Sequence, residues 1–368
     1  MERRIYFRRA FTSRAERSGH SRRGGKKEDR MYNTGMYGGT FNPLHMGHAD
    51  CIIQAANMCR ELYIVISEGK ERAEVDVRVR YRWIYQLTKH IGNVKIITLS
   101  DDAPTKAEYT REYWMRDAGK VKRQVDGPID VVFCGSDYDE NSFWNVCYPE
   151  SKLHIFKRNE ISSTELRRDI YGHWDWLPRV VRPYYVKKVL LMGGESTGKS
   201  TLTINLANRF NTAYIDEAGR DISERSGTDL LMLSEDFTEI LLQHKLNEIK
   251  AMERADRVLF IDTDTLVTQF YMNFLSDPGI ERNRALSDAI DAVNEYDLIL
   301  FLEPDVEFVQ DGDRSEIIRD DRVKYSEQIK ELIRAHGRNF VTVGGSYQER
   351  YEKAVAEVEK LLRAPGES

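Results

Sequence analysis

The run Gly193-Gly194-Glu195-Ser196-Thr197-Gly198-Lys199-Ser200, followed by Thr201, has the spacing G-x-x-x-x-G-K-[ST]. Glycines let backbone N–H groups close around a phosphate with no Cβ in the way, and a helix N-terminus behind them adds partial positive charge. Lys199 is placed to reach β- and γ-phosphates, and the Ser200 hydroxyl to ligate Mg²⁺. A second constellation lies earlier in the chain. Gly38-Gly39-Thr40-Phe41-Asn42-Pro43-Leu44-His45-Met46-Gly47-His48 sets two histidines three residues apart at the mouth of a helix. Imidazolium donors there would stabilise charge growing on a phosphoryl group. A metal pair or a plain cap would use the same histidines, but no further ligands recur nearby. A third stretch, Ile161-Ser162-Ser163-Thr164-Glu165-Leu166-Arg167, puts hydroxyls at a helix start with an arginine three residues beyond Thr164. Such a stretch receives a phosphate and clamps it, unless it is only a capped helix.

These loops need strands to hold them. Val186 to Met192 reads as a buried strand, and Thr201 to Phe210 as a helix with apolar positions Leu202, Leu206 and Phe210. Tyr32 to Tyr37 reads as a strand and Ala49 to Cys59 as a helix. The chain then alternates: strand Leu62–Ser67, helix Arg78–His90, strand Val94–Leu99, helix Tyr109–Gln124 and strand Asp130–Cys134. Alternation of this kind predicts a doubly wound α/β domain on a parallel sheet. In the second half, strands are expected at Tyr214–Glu217, Arg257–Asp264, Asp297–Leu302 and Asn339–Val343, with helices between them.

Carboxylates at strand ends beside a phosphate loop hold Mg²⁺ or an acceptor hydroxyl. Asp216, Glu217, Asp262 and Asp264 are the candidates. Asp262 ends the more buried strand and is assigned mainly to metal. Glu217, with Asp216 behind it and Arg220 one turn on, is assigned to the acceptor. The polar segment from Gln310 through Arg314 to Arg322 reads as a kinase lid whose arginines close on the phosphate, or as a solvated charged loop.

At 368 residues the chain exceeds one usual core, and two domains are expected. It is 41 % hydrophobic and 31 % charged, and no apolar run approaches the roughly 18 residues that span a membrane. Cys51, Cys59, Cys134 and Cys147 show neither C-x-x-C nor metal-ligand spacing, which fits reduced thiols in a cytoplasmic protein. Residues 1–30 carry a formal +7 against −5 for the whole chain, and contain no apolar signal segment. They read as a disordered basic extension upstream of a start at Met31. The expected division is residues 31–172, an aromatic and proline-bearing linker 173–186, and residues 187–363.

The His motif and the Ser/Thr–Arg motif, in order on an α/β frame, resemble the nucleotidyltransferase family of adenylyltransferases. That resemblance implies that His45, His48, Ser163, Thr164 and Arg167 grip the triphosphate of ATP, with backbone contacts from Gly39, Thr40 and Phe41. A substrate phosphate then attacks the α-phosphorus and pyrophosphate leaves. Together with the Trp174-x-Trp176-x-Pro178 linker, the phosphate loop, Glu217-Ala218-Gly219-Arg220, Ile261-Asp262-Thr263-Asp264 and Asp311-Gly312-x-Arg314, the chain resembles bifunctional nicotinamide-nucleotide adenylyltransferase/ribosylnicotinamide kinases. The resemblance covers residues 31–360. It implies two P-loop and nucleotidyltransferase reactions of NAD biosynthesis: phosphorylation of nicotinamide riboside, then adenylylation of nicotinamide mononucleotide to NAD. ATP is substrate in both, with Mg²⁺.

Some members carry an N-terminal helix-turn-helix and repress transcription. Residues 1–30 are too short and aperiodic for one, so a nucleic-acid partner is not expected. The sequence is compatible with a homo-oligomer. Trp114 is the candidate to stack on the nicotinamide ring. Arg80 and Arg82 either face the nucleotide or form an exposed helix face. The rival readings are a fused coenzyme A synthase, against which stand the His45–His48 pair and the linker, and an ATP-regulated nucleic-acid binder using the basic arm.

Overall fold

The computed structural model describes residues 31–69, 74–101, 110–135, 142–157, 161–226, 231–310 and 316–363. The N-terminal extension and the lid residues Asp311 to Ser315, Arg314 among them, lie outside the described residues.

The first half runs β1 (Tyr32–Gly39), α1 (Met46–Met58), β2 (Cys59–Gly69), α2 (Val77–Thr88), β3 (Val94–Asp101), α3 (Arg111–Lys122), β4 (Val131–Gly135), α4 (Phe143–Cys147), β5 (Lys152–Phe156) and α5 (Ser163–Arg168). Its sheet is parallel throughout, in the order β3-β2-β1-β4-β5. The second half runs β6 (Lys187–Gly193), α6 (Lys199–Phe210), β7 (Tyr214–Ile215), α7 (Ala218–Ser226), α8 (Ser234–Met252), β8 (Val258–Asp262), α9 (Thr265–Phe274), α10 (Ile280–Asp291), β9 (Leu298–Leu302), α11 (Glu316–Asp320), α12 (Arg322–Ala335), β10 (Val341–Val343) and α13 (Tyr347–Leu361). Its sheet is also parallel, in the order β10-β9-β6-β8-β7. In both sheets the first strand is central and the winding reverses beside it. A crevice therefore opens at the carboxyl end of β1 and of β6, where ligands bind in such sheets.

Most elements follow the sequence reading to within a few residues. Two were not foreseen. β5 is an edge strand in which Lys152 and His154 dilute the apolar pattern, and α4 is one short turn. The strand expected through Glu217 stops at Ile215, which frees Asp216 and Glu217 from the ladder.

The central strands of the second sheet are the most buried. Val189 to Met192 are fully buried, as are Val258 to Ile261. The linker joins the same apolar cluster as both halves, with Trp174, Leu177 and Val181 essentially buried. The Trp83 ring meets Tyr184 edge-on at 5.4 Å. The Tyr171 hydroxyl donates to the Tyr185 carbonyl at 3.0 Å, and Arg257 Nε donates to the Tyr171 carbonyl at 3.2 Å. Arg257 stands just before β8, so this seam grips the amino ends of the second sheet. The phosphate loop lies at the carboxyl ends, roughly 20 Å away along a seven-residue strand. Among the described residues, no helix is long and apolar enough to cross a membrane.

Candidate active sites

At the first crevice, two glycines sit tightly against aromatic rings. A Cβ on Gly38 would stand 3.0 Å from the Trp144 ring, and one on Gly39 would stand 3.1 Å from the Phe41 ring. The chain then turns through Phe41, buried and at a φ of 49°. His45 is not on the first helical turn, as its spacing suggested, but is the N-cap of α1. Its Nδ1 accepts the His48 backbone N–H at 3.3 Å, and the two rings stack at 3.7 Å. His48 Nδ1 is buried without a hydrogen-bond partner.

Burial lowers the His45 pKa to about 4. It lowers His48 well below the ordinary value too, with His45 adding to the effect. The expectation of standing imidazolium donors is thereby corrected: at neutral pH both rings are neutral. Desolvation is the leading cause for both rings, and an arriving polyanion would act against it by favouring the charged form.

Ser162 caps α5, its hydroxyl accepting from the Glu165 N–H at 3.4 Å. Ser163 is the first helical residue, half-buried, and Thr164 and Arg167 are exposed. Arg167 donates to the Asn42 carbonyl at 2.6 Å and to Thr164 Oγ1 at 3.3 Å. Residues some 120 positions apart in sequence thus share one crevice. Arg80 does something the sequence did not suggest. It is buried, donating to the carbonyls of Val75 (2.9 Å), Thr40 (2.5 Å) and Ser67 (2.9 Å), and so fastens the loop after β1 to the end of β2. Arg82 is exposed. Trp114 stacks on Phe143 at 5.6 Å and meets Trp144 edge-on at 5.3 Å, lining a small cleft that reaches Met36 on β1. Phe143 and Trp144 were missed because α4 was.

At the second crevice, Gly193 has a φ of 148°, and a Cβ there would lie 2.7 Å from the Leu302 carbonyl oxygen. Gly198 caps α6 in the left-handed region, at a φ of 87°. The Thr197 hydroxyl and Lys199 Nζ donate to the Gly194 carbonyl at 2.9 and 3.0 Å. Arg350, buried on α13, donates to the Thr197 carbonyl at 2.7 Å and to the Glu303 carbonyl at 2.8 Å, and pairs with Asp305. Arg322 is not a free lid residue: it donates to the carbonyls of Val306 (2.8 Å) and Ser196 (3.2 Å), bracing the loop apex.

Asp262 ends β8 beside Leu191 of β6 and is almost wholly buried. No hydrogen bond reaches either of its carboxylate oxygens. Burial and then Glu217 raise its pKa to about 6, against the easing influence of Lys199 and of the neighbouring Ser200 hydroxyl. A buried carboxylate whose nearby donor is a single serine hydroxyl fits a hard cation. Among the described residues no cluster of three or more His, Cys, Asp or Glu could hold a metal alone. Mg²⁺ in phosphoryl-transfer sites does not require one, because phosphates and water complete its shell.

The pocket beside the loop is lined by Lys199, Ser200, Thr201, Glu217, Arg220, Asp264 and Tyr271, among others. Asp216 does not line this pocket; it borders a neighbouring groove with Asp221 and Arg254, which Glu217 also lines. Asp264 lines the pocket, but its carboxylate is spent. It caps α9 through the Leu266 N–H at 3.0 Å and pairs with Arg338 at 3.1 Å. Its burial raises its pKa to about 6. Two lining residues carried no motif signal. Tyr271 donates to Glu195 at 2.8 Å, and His244 is buried on α8.

Residues 36–169 match the cytidylyltransferase-like family model, and residues 188–350 match an AAA domain model. The chain is similar to the trifunctional NAD biosynthesis/regulator protein of Escherichia coli (strain K12), 28 % identical over 344 residues, covering 89 % of this chain and 83 % of that one. A NadR protein solved in complex with NR superposes with a TM-score of 0.74 at 21 % identity, covering 93 % of this chain and 100 % of that one. A NadR protein in complex with NAD and AMP-PNP gives the same TM-score and identity, with 92 % and 99 % covered. At that identity the superpositions establish a shared fold along nearly the whole chain.

Proposed function

We propose that this chain, homologous over 89 % of its length to a trifunctional NAD biosynthesis/regulator protein, is a bifunctional NAD salvage enzyme. Residues 187–363 phosphorylate nicotinamide riboside with ATP. Residues 31–172 join the resulting mononucleotide to AMP from a second ATP, releasing pyrophosphate, and residues 173–186 connect the two. The observation that carries this reading is the repetition of one device on two sheets: a glycine-gated phosphate loop at the carboxyl end of each central strand.

In the second crevice the loop amides and Lys199 hold the ATP phosphates. Glu217 orients the riboside 5′-hydroxyl and takes its proton as the bond to the γ-phosphorus forms. Ser200 and Asp262 would hold Mg²⁺, which neutralises charge on the phosphate oxygens. Arg220 lines the acceptor side, and Asp264 acts by fixing the start of α9. In the first crevice, His45, His48, Ser163, Thr164 and Arg167 bind the triphosphate and stabilise the departing pyrophosphate. No covalent enzyme intermediate is needed, because position and charge do the work. The Trp114–Trp144 cleft offers the nicotinamide ring an aromatic wall. Both reactions use soluble metabolites, in keeping with a cytoplasmic enzyme. A fused coenzyme A synthase would also pair an adenylyltransferase with a kinase. The homology that spans both halves together favours the NAD pair.

The test is direct. Protein incubated with ATP, Mg²⁺ and nicotinamide riboside should yield the mononucleotide and then NAD by mass spectrometry, while phosphopantetheine in a parallel reaction should remain unadenylylated. Consumption of phosphopantetheine with the riboside left intact would overturn the reading.

A further inference from the structure

We propose that His244 is a substrate-contacting residue whose Nε2 engages a ribose hydroxyl of the phosphoryl acceptor. This rests on the kinase reading above and deepens it. His244 is 5 % exposed and lines the pocket that also holds Lys199 and Glu217. Its Nε2 is buried with no hydrogen-bond partner. The neighbouring side chains on the same wall, Phe237 and Ile240, are apolar and buried, so nothing on that wall satisfies it. One helical turn on, Glu248 is occupied by Lys188 at 3.2 Å and Lys245 at 3.1 Å.

A buried polar atom left unpaired costs stability, and native proteins keep few of them. His336 does not carry that cost, its Nδ1 lying 2.9 Å from the Leu332 carbonyl oxygen, whereas His48 Nδ1, likewise without a partner, lies in the first ligand crevice. An orphan facing a ligand pocket is satisfied when the ligand arrives. The chemistry of the wall selects that ligand. A single ring nitrogen in an apolar surface suits one hydroxyl on an otherwise weakly polar face, as on a nucleoside sugar. The Asp262 backbone makes a hydrogen bond to the His244 ring, which leaves Nε2 as the nitrogen without a partner, and Glu217 lies close by, where the sugar of the acceptor must lie if its 5′-hydroxyl reacts there. With the other ring nitrogen donating to that backbone carbonyl, Nε2 of the neutral ring is an acceptor, and a sugar hydroxyl can donate to it.

The experiment compares affinities of the full-length wild type and His244→Leu for nicotinamide riboside and for its 2′-deoxy and 3′-deoxy analogues. Wild type should bind one deoxy analogue about tenfold or more weaker than the riboside, because the loss strands a buried nitrogen. His244→Leu should bind that analogue and the riboside equally, with AMP-PNP affinity unchanged. Equal discrimination by both proteins, or none by the wild type, overturns the proposal. Should His244→Leu fail to fold, the ¹⁵N resonance of Nε2 in wild type decides. It should shift when the riboside is added, and an unshifted resonance with riboside bound overturns the proposal alone. A wild type that binds no riboside at all overturns the kinase reading with it.

Discussion

The two halves solve one problem with different charge. Each places a glycine-gated loop at the carboxyl end of a central parallel strand, and each recruits a distant arginine to brace it: Arg167 reaches Asn42, and Arg350 reaches Thr197. In the second half the cation on the phosphate loop is a lysine, Lys199, a residue type that carries standing charge. In the first half it is latent. His45 and His48 are held neutral by burial and gain charge only when an anion makes protonation favourable. A loop with standing charge attracts its ligand from solution, whereas a loop with latent charge responds mainly to a ligand already seated. The halves also meet through the linker at the amino ends of the second sheet, far from its phosphate loop. Chemistry in one crevice is therefore separable from chemistry in the other.

The sharpest way to break this comparison is a reciprocal pair of substitutions. Lys199→Ala should abolish phosphorylation of the riboside and leave conversion of mononucleotide to NAD within about twofold. His48→Ala should lower adenylyl transfer by about 10²- to 10³-fold, the usual loss for one donor aimed at developing charge, and leave the kinase untouched. Assaying both steps on both variants checks the crossover. If either substitution silenced both activities in a folded protein, the halves would share a site.

A smaller effect separates two carboxylates within the kinase crevice. Asp262 is buried, with the Ser200 hydroxyl as its single nearby donor, while Glu217 lies on the wall that carries Arg220. Glu217→Gln should cut turnover or riboside affinity by about tenfold or more while AMP-PNP affinity holds. Asp262→Asn should instead raise the Mg²⁺ concentration needed for half-maximal rate. Titrating Mg²⁺ and riboside against each variant distinguishes them, and the reverse pattern would exchange their roles.

What the sequence made legible follows from what a motif encodes. Glycine at 193 and 198 is dictated by backbone geometry, so the phosphate loop and its strand and helix were readable from spacing alone. The parallel sheet around it followed from alternation, while the strand order became visible only in the fold. Asp262 was readable because an apolar run ends in it. His244 was not, because a histidine inside an amphipathic helix gives no local sign of which face it takes. Arg80 was misread for a related reason: its partners are three backbone carbonyls, at Thr40, Ser67 and Val75, and carbonyls leave no mark in a sequence. Asp216 and Glu217 were treated as neighbours in function because they are neighbours in the chain. Once the strand stops at Ile215, both border one groove, but only Glu217 also lines the pocket beside the phosphate loop.

The mildest prediction concerns the latent charge itself. A histidine whose folded pKa lies below its unfolded value binds fewer protons folded than unfolded between the two values. Stability is then full above the unfolded value and is lost as pH falls toward the folded one. For His45 that window runs from its ordinary 6.5 down to about 4. Moving from pH 7 to pH 5 should cost the first half about 2 kcal/mol from this group alone, with His48 acting in the same direction. All five tryptophans (Trp83, Trp114, Trp144, Trp174 and Trp176) precede the second half, so their fluorescence reports the first half and the linker selectively. Urea unfolding followed by that signal should show a lower midpoint at pH 5 than at pH 7. His45→Asn keeps a side chain able to cap α1 but cannot titrate, so it should shrink the difference. A wild-type midpoint that does not move between pH 7 and pH 5 would mean the two rings protonate in the folded protein as readily as in the unfolded chain, and the contrast between standing and latent charge would fall.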